Sequence, residues 1–226
     1  MLYSLFQKFP NDTGPIYQET IQGRLPVEPF NTFSNLIFIV ILIYFGKKIY
    51  KNPKQHPFFL FAIPVIFISW IGGTMFHGTR SHQFWLLLDW LPIMVVCLGG
   101  IIYFIGKLQR EWWKRLLLFI GFLAISILPR FLPVSQTYRI SFGYVVTAVS
   151  VVIPFILYAY KTQWKHSKYI FLGFFIFGIA VTFRSLDGVR VILPMGTHWL
   201  WHTFGGIAVF FLLYYIYVDK KELNGS

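Results

Sequence analysis

Charged residues are scarce in this chain. They make up 12% of its 226 residues, about half the share of an ordinary soluble domain, which runs near 25%. So few cannot cover a surface in water, and that excludes a water-soluble globular class. Cysteine is scarcer still. The single Cys97 excludes an internal disulfide and disfavours a thiolate metal site, and its place inside an apolar run reads as packing. Acidic residues number 8 against 20 lysines and arginines, so a carboxylate inside or beside an apolar run calls for a reason. The opening residues, MLYSLFQKFPNDTGP, lack the basic start, apolar core and small-residue cleavage site of a signal peptide, and are expected to stay on the mature chain. No internal repeat, low-complexity tract or linker stands out.

Apolar residues are abundant, with hydrophobic types at 56% and aromatics at 21%. Mostly apolar runs fall around 32–46, 58–76, 84–106, 112–129, 140–160, 169–186 and 198–218, each about long enough for a membrane-crossing helix. The first has a short apolar part and needs the polar stretch from Asn31 to Asn35 as its outer turn. Seven spans with short loops use nearly every residue. They predict an all-α membrane protein, a seven-transmembrane helix bundle in one domain over 1–226, with 1–30 as an extracytoplasmic segment. Some helices should be tilted or interrupted. Paired glycines at 72–73, 99–100 and 205–206 read as close-packing points between helices.

The net charge of +12 raises nucleic acid as a partner, but its distribution argues otherwise. Loops 47–57, 107–115 and 161–168 and the C-terminal tail carry 13 of the 20 basic residues. The positive-inside rule then puts those loops and the C-terminus in the cytoplasm and the N-terminus outside. No basic stripe with interleaved stacking aromatics appears, so no nucleic acid is expected. No protein partner is predicted either, and membrane lipids are the expected surroundings.

With that topology, the second span ends WIGGTMFHGT and carries His77 to the non-cytoplasmic end. The third begins FWLLLDWLPI and puts Asp89 a turn or two below the same surface. The seventh begins within GTHWLWH, with His198 and His202 one turn apart on one helical face. Three histidines and a carboxylate from three spans thus share one level, an assignment made from lysine and arginine counts alone. Three neutral imidazoles around one ion leave a fourth position for water, as in catalytic zinc sites. Asp89 could serve as general base or orient a ligand. The plainer reading of His77 is a headgroup-level residue, and a histidine pair at this spacing also arises by chance. Asp89 inside a span is harder to explain away. His56, His82 and His166 fall in loops and read as solvated.

A second polar group precedes the first span: Glu19, Glu28, Asn31, Ser34 and Asn35 in YQETIQGRLPVEPFNTFSN. Carboxylates and amides suit a hard cation such as calcium, while the plainer reading is a helix start capped by Asn31 or Thr32 with Pro29 as breaker. Arg184 and Asp187, at the end of the sixth span, read as a local ion pair or cap, or as the rim of a substrate mouth.

The blocks EPFNTFSN at 28–35, GGTMFH at 72–77, LLDWLPI at 87–93, FRSLD at 183–187 and GTHWLWH at 196–202 together resemble the alkaline ceramidase family. That family belongs to a superfamily of membrane hydrolases that also holds the adiponectin-type receptors and Per1 proteins. The resemblance covers nearly the whole chain. It implies a seven-helix fold, zinc on His77, His198 and His202, and Asp89 beside the metal-bound water. It also implies hydrolysis of the N-acyl amide of ceramide, or of another N-acyl lipid, to a sphingoid base and a fatty acid. A calcium site would map onto Glu28 and Glu19. Two departures stand out: Gly73 replaces the family's serine one turn before the first zinc histidine, leaving Thr74 as the nearest hydroxyl, and Gln18-Glu19 replaces a Cys-Glu block. A receptor or lipid-binding protein with structural zinc is the alternative expectation. A proton-relaying transporter fits less well, because the polar groups cluster at one face instead of tracing a path across the bilayer.

Overall fold

The computed structural model describes residues 9–127, 131, 136–187 and 193–223. Helices account for all regular structure among them: α1 (Pro29–Ser34), α2 (Leu36–Ile49), α3 (Pro57–Thr79), α4 (Gln83–Leu108), α5 (Trp112–Ile127), α6 (Gln136–Lys161), α7 (Lys168–Leu186) and α8 (His198–Leu223), with one 3₁₀ turn at Pro53–Gln55. Among the described residues, five stretches are long and apolar enough to cross a membrane: Pro29–Ile49, Pro57–Thr79, Gln83–Leu108, Lys168–Leu186 and His198–Lys220. Large apolar side chains such as Val40, Leu60, Ile102, Leu172 and Phe175 lie exposed on these helices, a surface suited to lipid rather than water.

The first membrane-length stretch does take in the polar turn before it, because α1 and α2 together run from Pro29 to Ile49. Its start differs from the capping expected from the sequence. Glu28 is the N-cap and Pro29 takes the first helical position, where a missing N–H costs nothing and a fixed φ favours the helix. Asn31 lies inside the helix and is buried, so Pro29 opens this helix instead of breaking it.

The chain forms two compact units, residues 1–94 with 168–226, and residues 95–167. In the first, α7 and α8 pack antiparallel through Tyr169 on Tyr214 (4.8 Å) and Phe183 on Phe204 (5.4 Å). The beginning of α4 lies hard against α3: a Cβ at Gly72 would stand 2.4 Å from the Leu88 carbonyl carbon. Gly206 is likewise pressed on Ile37, but Gly100 and Gly205 face open space, so only some of the paired glycines are contact points. In the second unit Phe104 packs on Phe155 at 4.1 Å, and Lys161 Nζ donates to the Lys107 carbonyl at 2.9 Å.

Candidate metal centre

α3 ends where α8 begins, and this places His77 beside His198 and His202. One ring nitrogen from each lies within 4.8 Å of the others, and all three residues are buried. The ring centroids are 4.7 Å apart for His77–His202 and His198–His202, and 5.3 Å for His77–His198. These are the three histidines that the sequence singled out, brought together from residues far apart in the chain.

Hydrogen bonds on the far side orient two of the three rings. His202 Nδ1 lies 3.1 Å from the Asn31 carbonyl, which can only accept, so Nδ1 carries the proton and Nε2 keeps a lone pair. Ser34 Oγ, which donates to the same carbonyl at 3.0 Å, accepts from Nδ1 at 2.9 Å. His77 Nδ1 donates to Glu28 Oε2 at 2.5 Å, and His77 Nε2 is buried with no hydrogen-bond partner, as is His198 Nδ1. A ring nitrogen held by a carboxylate or carbonyl on its far side is the usual support of a metal-binding imidazole. Three buried imidazoles converging, two of them with unpartnered nitrogens, fit a metal ion.

α8 is aimed by its own N-terminus. Asp187 Oδ1 accepts from the backbone N–H of Thr197 (2.7 Å) and His198 (3.1 Å), putting a negative charge where the helix dipole favours one. Gly196 has φ +73°, and a Cβ there would come within 2.3 Å of that same oxygen; only glycine fits the turn. Asp187 is thus a cap, the plainer of its expected roles. The Arg184 guanidinium lies over the Trp201 ring at 5.2 Å.

Asp89 reaches this end of α3 one turn before His77. Ser69 Oγ donates to its backbone carbonyl at 2.6 Å, and its carboxylate lies against Gly73, where an added Cβ would stand 2.5 Å from Oδ1 and 3.0 Å from Asn35 Oδ1. Glycine at 73 therefore opens the space that the Asp89 carboxylate fills. A serine could not be added without moving it. The Thr74 hydroxyl, next in the chain, is buried and unbonded.

Glu28 and Glu19, the residues considered for calcium, are both buried and both already engaged. Glu28 Oε1 accepts from Thr20 Oγ1 (2.6 Å) and Arg80 Nη1 (2.6 Å), and Oε2 accepts from His77 Nδ1 and Asn31 Nδ2 (3.2 Å). Burial pushes this carboxyl up, but the bonds from His77, Thr20 and Arg80 outweigh it and hold the group below the usual carboxylate range. Glu19 accepts the N–H groups of Asn31 (2.7 Å) and Phe30 (3.0 Å), closing the first turn of α1. Burial raises its pKa in spite of those two bonds.

The sequence pattern does not single out Tyr17, Asp12 or Arg80. The Tyr17 ring stacks on His198 at 3.8 Å and no motif marks it. Arg80 carries a faint signal: it is a basic residue three positions after His77, on the side where basic residues are few. Among the remaining histidines, His82 is exposed, but His56 is 9% exposed and stacks on Tyr217 at 5.5 Å. The solvated reading is wrong for His56, because the end of α8 folds back over the loop before α3.

Membrane-length apolar helices and a buried three-histidine cluster define the class: an all-helical, membrane-type protein with a candidate metal centre. No family model matches the chain, and no curated protein matches it.

Proposed function

We propose that this protein is a zinc-dependent intramembrane amidohydrolase of the alkaline ceramidase type, cleaving the N-acyl amide of ceramide-like lipids to a sphingoid base and a fatty acid. One observation carries the reading: the protons on His77 Nδ1 and His202 Nδ1 are directed outward, to Glu28 and to the Asn31 carbonyl. On these two rings the Nε2 lone pairs, not donors, are therefore left for the shared point, where His198 also converges. Two facing acceptors cannot satisfy one another, and a cation held with His198 satisfies both. An all-imidazole set suits zinc. When bound, zinc supplies an acidified water and a polarised carbonyl.

The chain's own residues do the rest. Glu28 and Asn31 hold two imidazoles in the ligating tautomer. Asp89 holds a proton during hydrolysis and returns it to the departing amine, so that amide and water give acid and amine with no external proton source. The Thr74 hydroxyl, without a protein partner, is free to donate to the developing oxyanion. Seven spans, with the centre facing away from the cytoplasm and the C-terminus within it, complete the proposal. It is supported by the basic loops and by the placement of all three histidines at one end of α3 and α8.

The test is incubation of purified, detergent-solubilised protein with a panel of N-acyl lipids, with and without chelator, followed by mass spectrometry of products and metal analysis of the protein. Zinc-dependent release of free fatty acid is expected. Metal-replete protein that binds intact lipid without releasing acid would overturn the hydrolase and leave the receptor.

A further inference from the structure

Arg80 is among the most deeply buried side chains, at 1% exposure, although it lies at the C-cap of α3 and takes a left-handed conformation (φ 48°, ψ 33°). Its guanidinium is enclosed by oxygen. Nε donates to Asp12 Oδ2 (2.9 Å), Nη2 to Asp12 Oδ1 (2.7 Å) and to the Gly14 carbonyl (3.4 Å), and Nη1 to Glu28 Oε1 (2.6 Å) and the Pro15 carbonyl (3.0 Å). The group also lies 4.6 Å over the Phe76 ring. Two carboxylates and two backbone carbonyls form a donor set that a hard divalent cation would otherwise take.

This cage joins the segment before α1 to both sides of the histidine cluster. Glu28 holds Arg80 with one oxygen and His77 with the other. Gly14 and Pro15 lead directly to Tyr17, whose ring lies on His198. The segment is fastened further by Asn11 N–H to the Arg80 carbonyl (3.1 Å) and Gln18 Nε2 to the Leu193 carbonyl (3.1 Å). Without a cation in the cage, Asp12 and Glu28 would be two buried carboxylates facing one another, and the segment would be repelled from α3.

We propose that Arg80 is a tethered substitute for a bound divalent cation: it occupies an oxygen cage formed by Asp12, Gly14, Pro15 and Glu28 and fastens the N-terminal segment over the metal centre, making that assembly independent of calcium. The inference rests on the metal-centre reading for what is being covered, but not for the cage itself. Arg80 is a positioning residue that acts through Glu28 and Tyr17.

The experiment is calcium titration of purified wild-type and Arg80→Gly proteins, reading bound calcium per chain and unfolding temperature, with low millimolar guanidinium as a parallel addition. Glycine accommodates the left-handed backbone, so the substitution removes the side chain without adding strain. Wild-type protein should bind no calcium in the cage and show no shift. Arg80→Gly should gain one calcium per chain and a rise on the order of 5 °C at calcium well above its Kd, and guanidinium should give part of the same rise. Arg80→Lys, a point charge lacking the planar fork, should fall between the two. Stoichiometric calcium binding by the wild type would overturn the proposal. So would an Arg80→Gly protein that ignores both cations, or one that neither calcium nor guanidinium brings to a folded state. Neither readout requires turnover, so absence of hydrolysis or of zinc would count against the proposed function and leave this inference standing.

Discussion

The first compact unit carries buried histidines at both of its ends, and they do opposite things. At one end His77, His198 and His202 converge, each held from behind by a carboxylate, a carbonyl or an aromatic ring. At the other, His56 sits between Phe59 and Tyr217, stacked on the latter at 18°, and its Nδ1 is also buried and unpartnered. A buried imidazole with a free nitrogen is therefore no site by itself. What separates the two ends is convergence: among the described residues no ligating cluster forms around His56, whereas three rings meet at the end of α3. The aromatic end is held by ring packing, with Phe45 on Phe59 at 5.1 Å and on Phe210 at 5.6 Å. The histidine end is held by hydrogen bonds among charged groups.

Removing a converging ring should break this contrast most completely. His202→Ala is expected to weaken metal binding by at least ~100-fold and abolish turnover, while His56→Ala should leave metal content at the wild-type level; metal analysis of the two proteins side by side decides it. Asp89→Asn should retain the metal and lose turnover by roughly 10²–10⁴-fold, and wild-type-like hydrolysis would remove Asp89 from the mechanism.

Gly73→Ser tests whether the histidine end depends on the space beside Asp89. A Cβ 2.5 Å from Oδ1 should cost about 1–3 kcal/mol of stability, seen as a lowered unfolding temperature, and should reduce turnover without loss of metal. Ser34→Ala should be milder. The Asn31 carbonyl still accepts the His202 proton, so a weakening of metal affinity near ~10-fold is expected.

The smallest effect belongs to the aromatic end. Burial, and then the nearby Lys220 charge, depress the His56 pKa below its ordinary value. The unfolded chain therefore binds the proton more readily than the folded protein, and stability contributed by neutral His56 is lost as pH falls below about 6.5. His56→Phe should keep the stack on Tyr217 and flatten that part of the pH–stability curve. An unchanged slope would show that His56 does not titrate against folding.

Much of the candidate site is legible in the amino-acid sequence. Two histidines at i and i+4 share a helical face whatever the fold, and the lysine-rich loops sort His77, Asp89 and the pair at 198 and 202 to one level. The supporting groups are only half legible. Glu28, Asn31 and Ser34 recur at three-residue spacing and so fall on one side of α1, yet nothing in that spacing distinguishes a cation site from a brace for His77 and His202. Gly73 reads as a lost hydroxyl, and its meaning as room for a carboxylate depends on the approach of α4.

The sequence by itself determined that this chain is helical and apolar enough for a membrane, and that its candidate ligands lie at helix ends, because hydropathy and helical period are local properties. Tertiary structure alone decided which groups surround them: Asp12 with Arg80, Arg80 with Glu28, Glu28 with His77, and Tyr17 with His198. Those pairings join residues up to 181 positions apart, and an ion pair or a stacked ring is defined by distance in space, which no local pattern encodes.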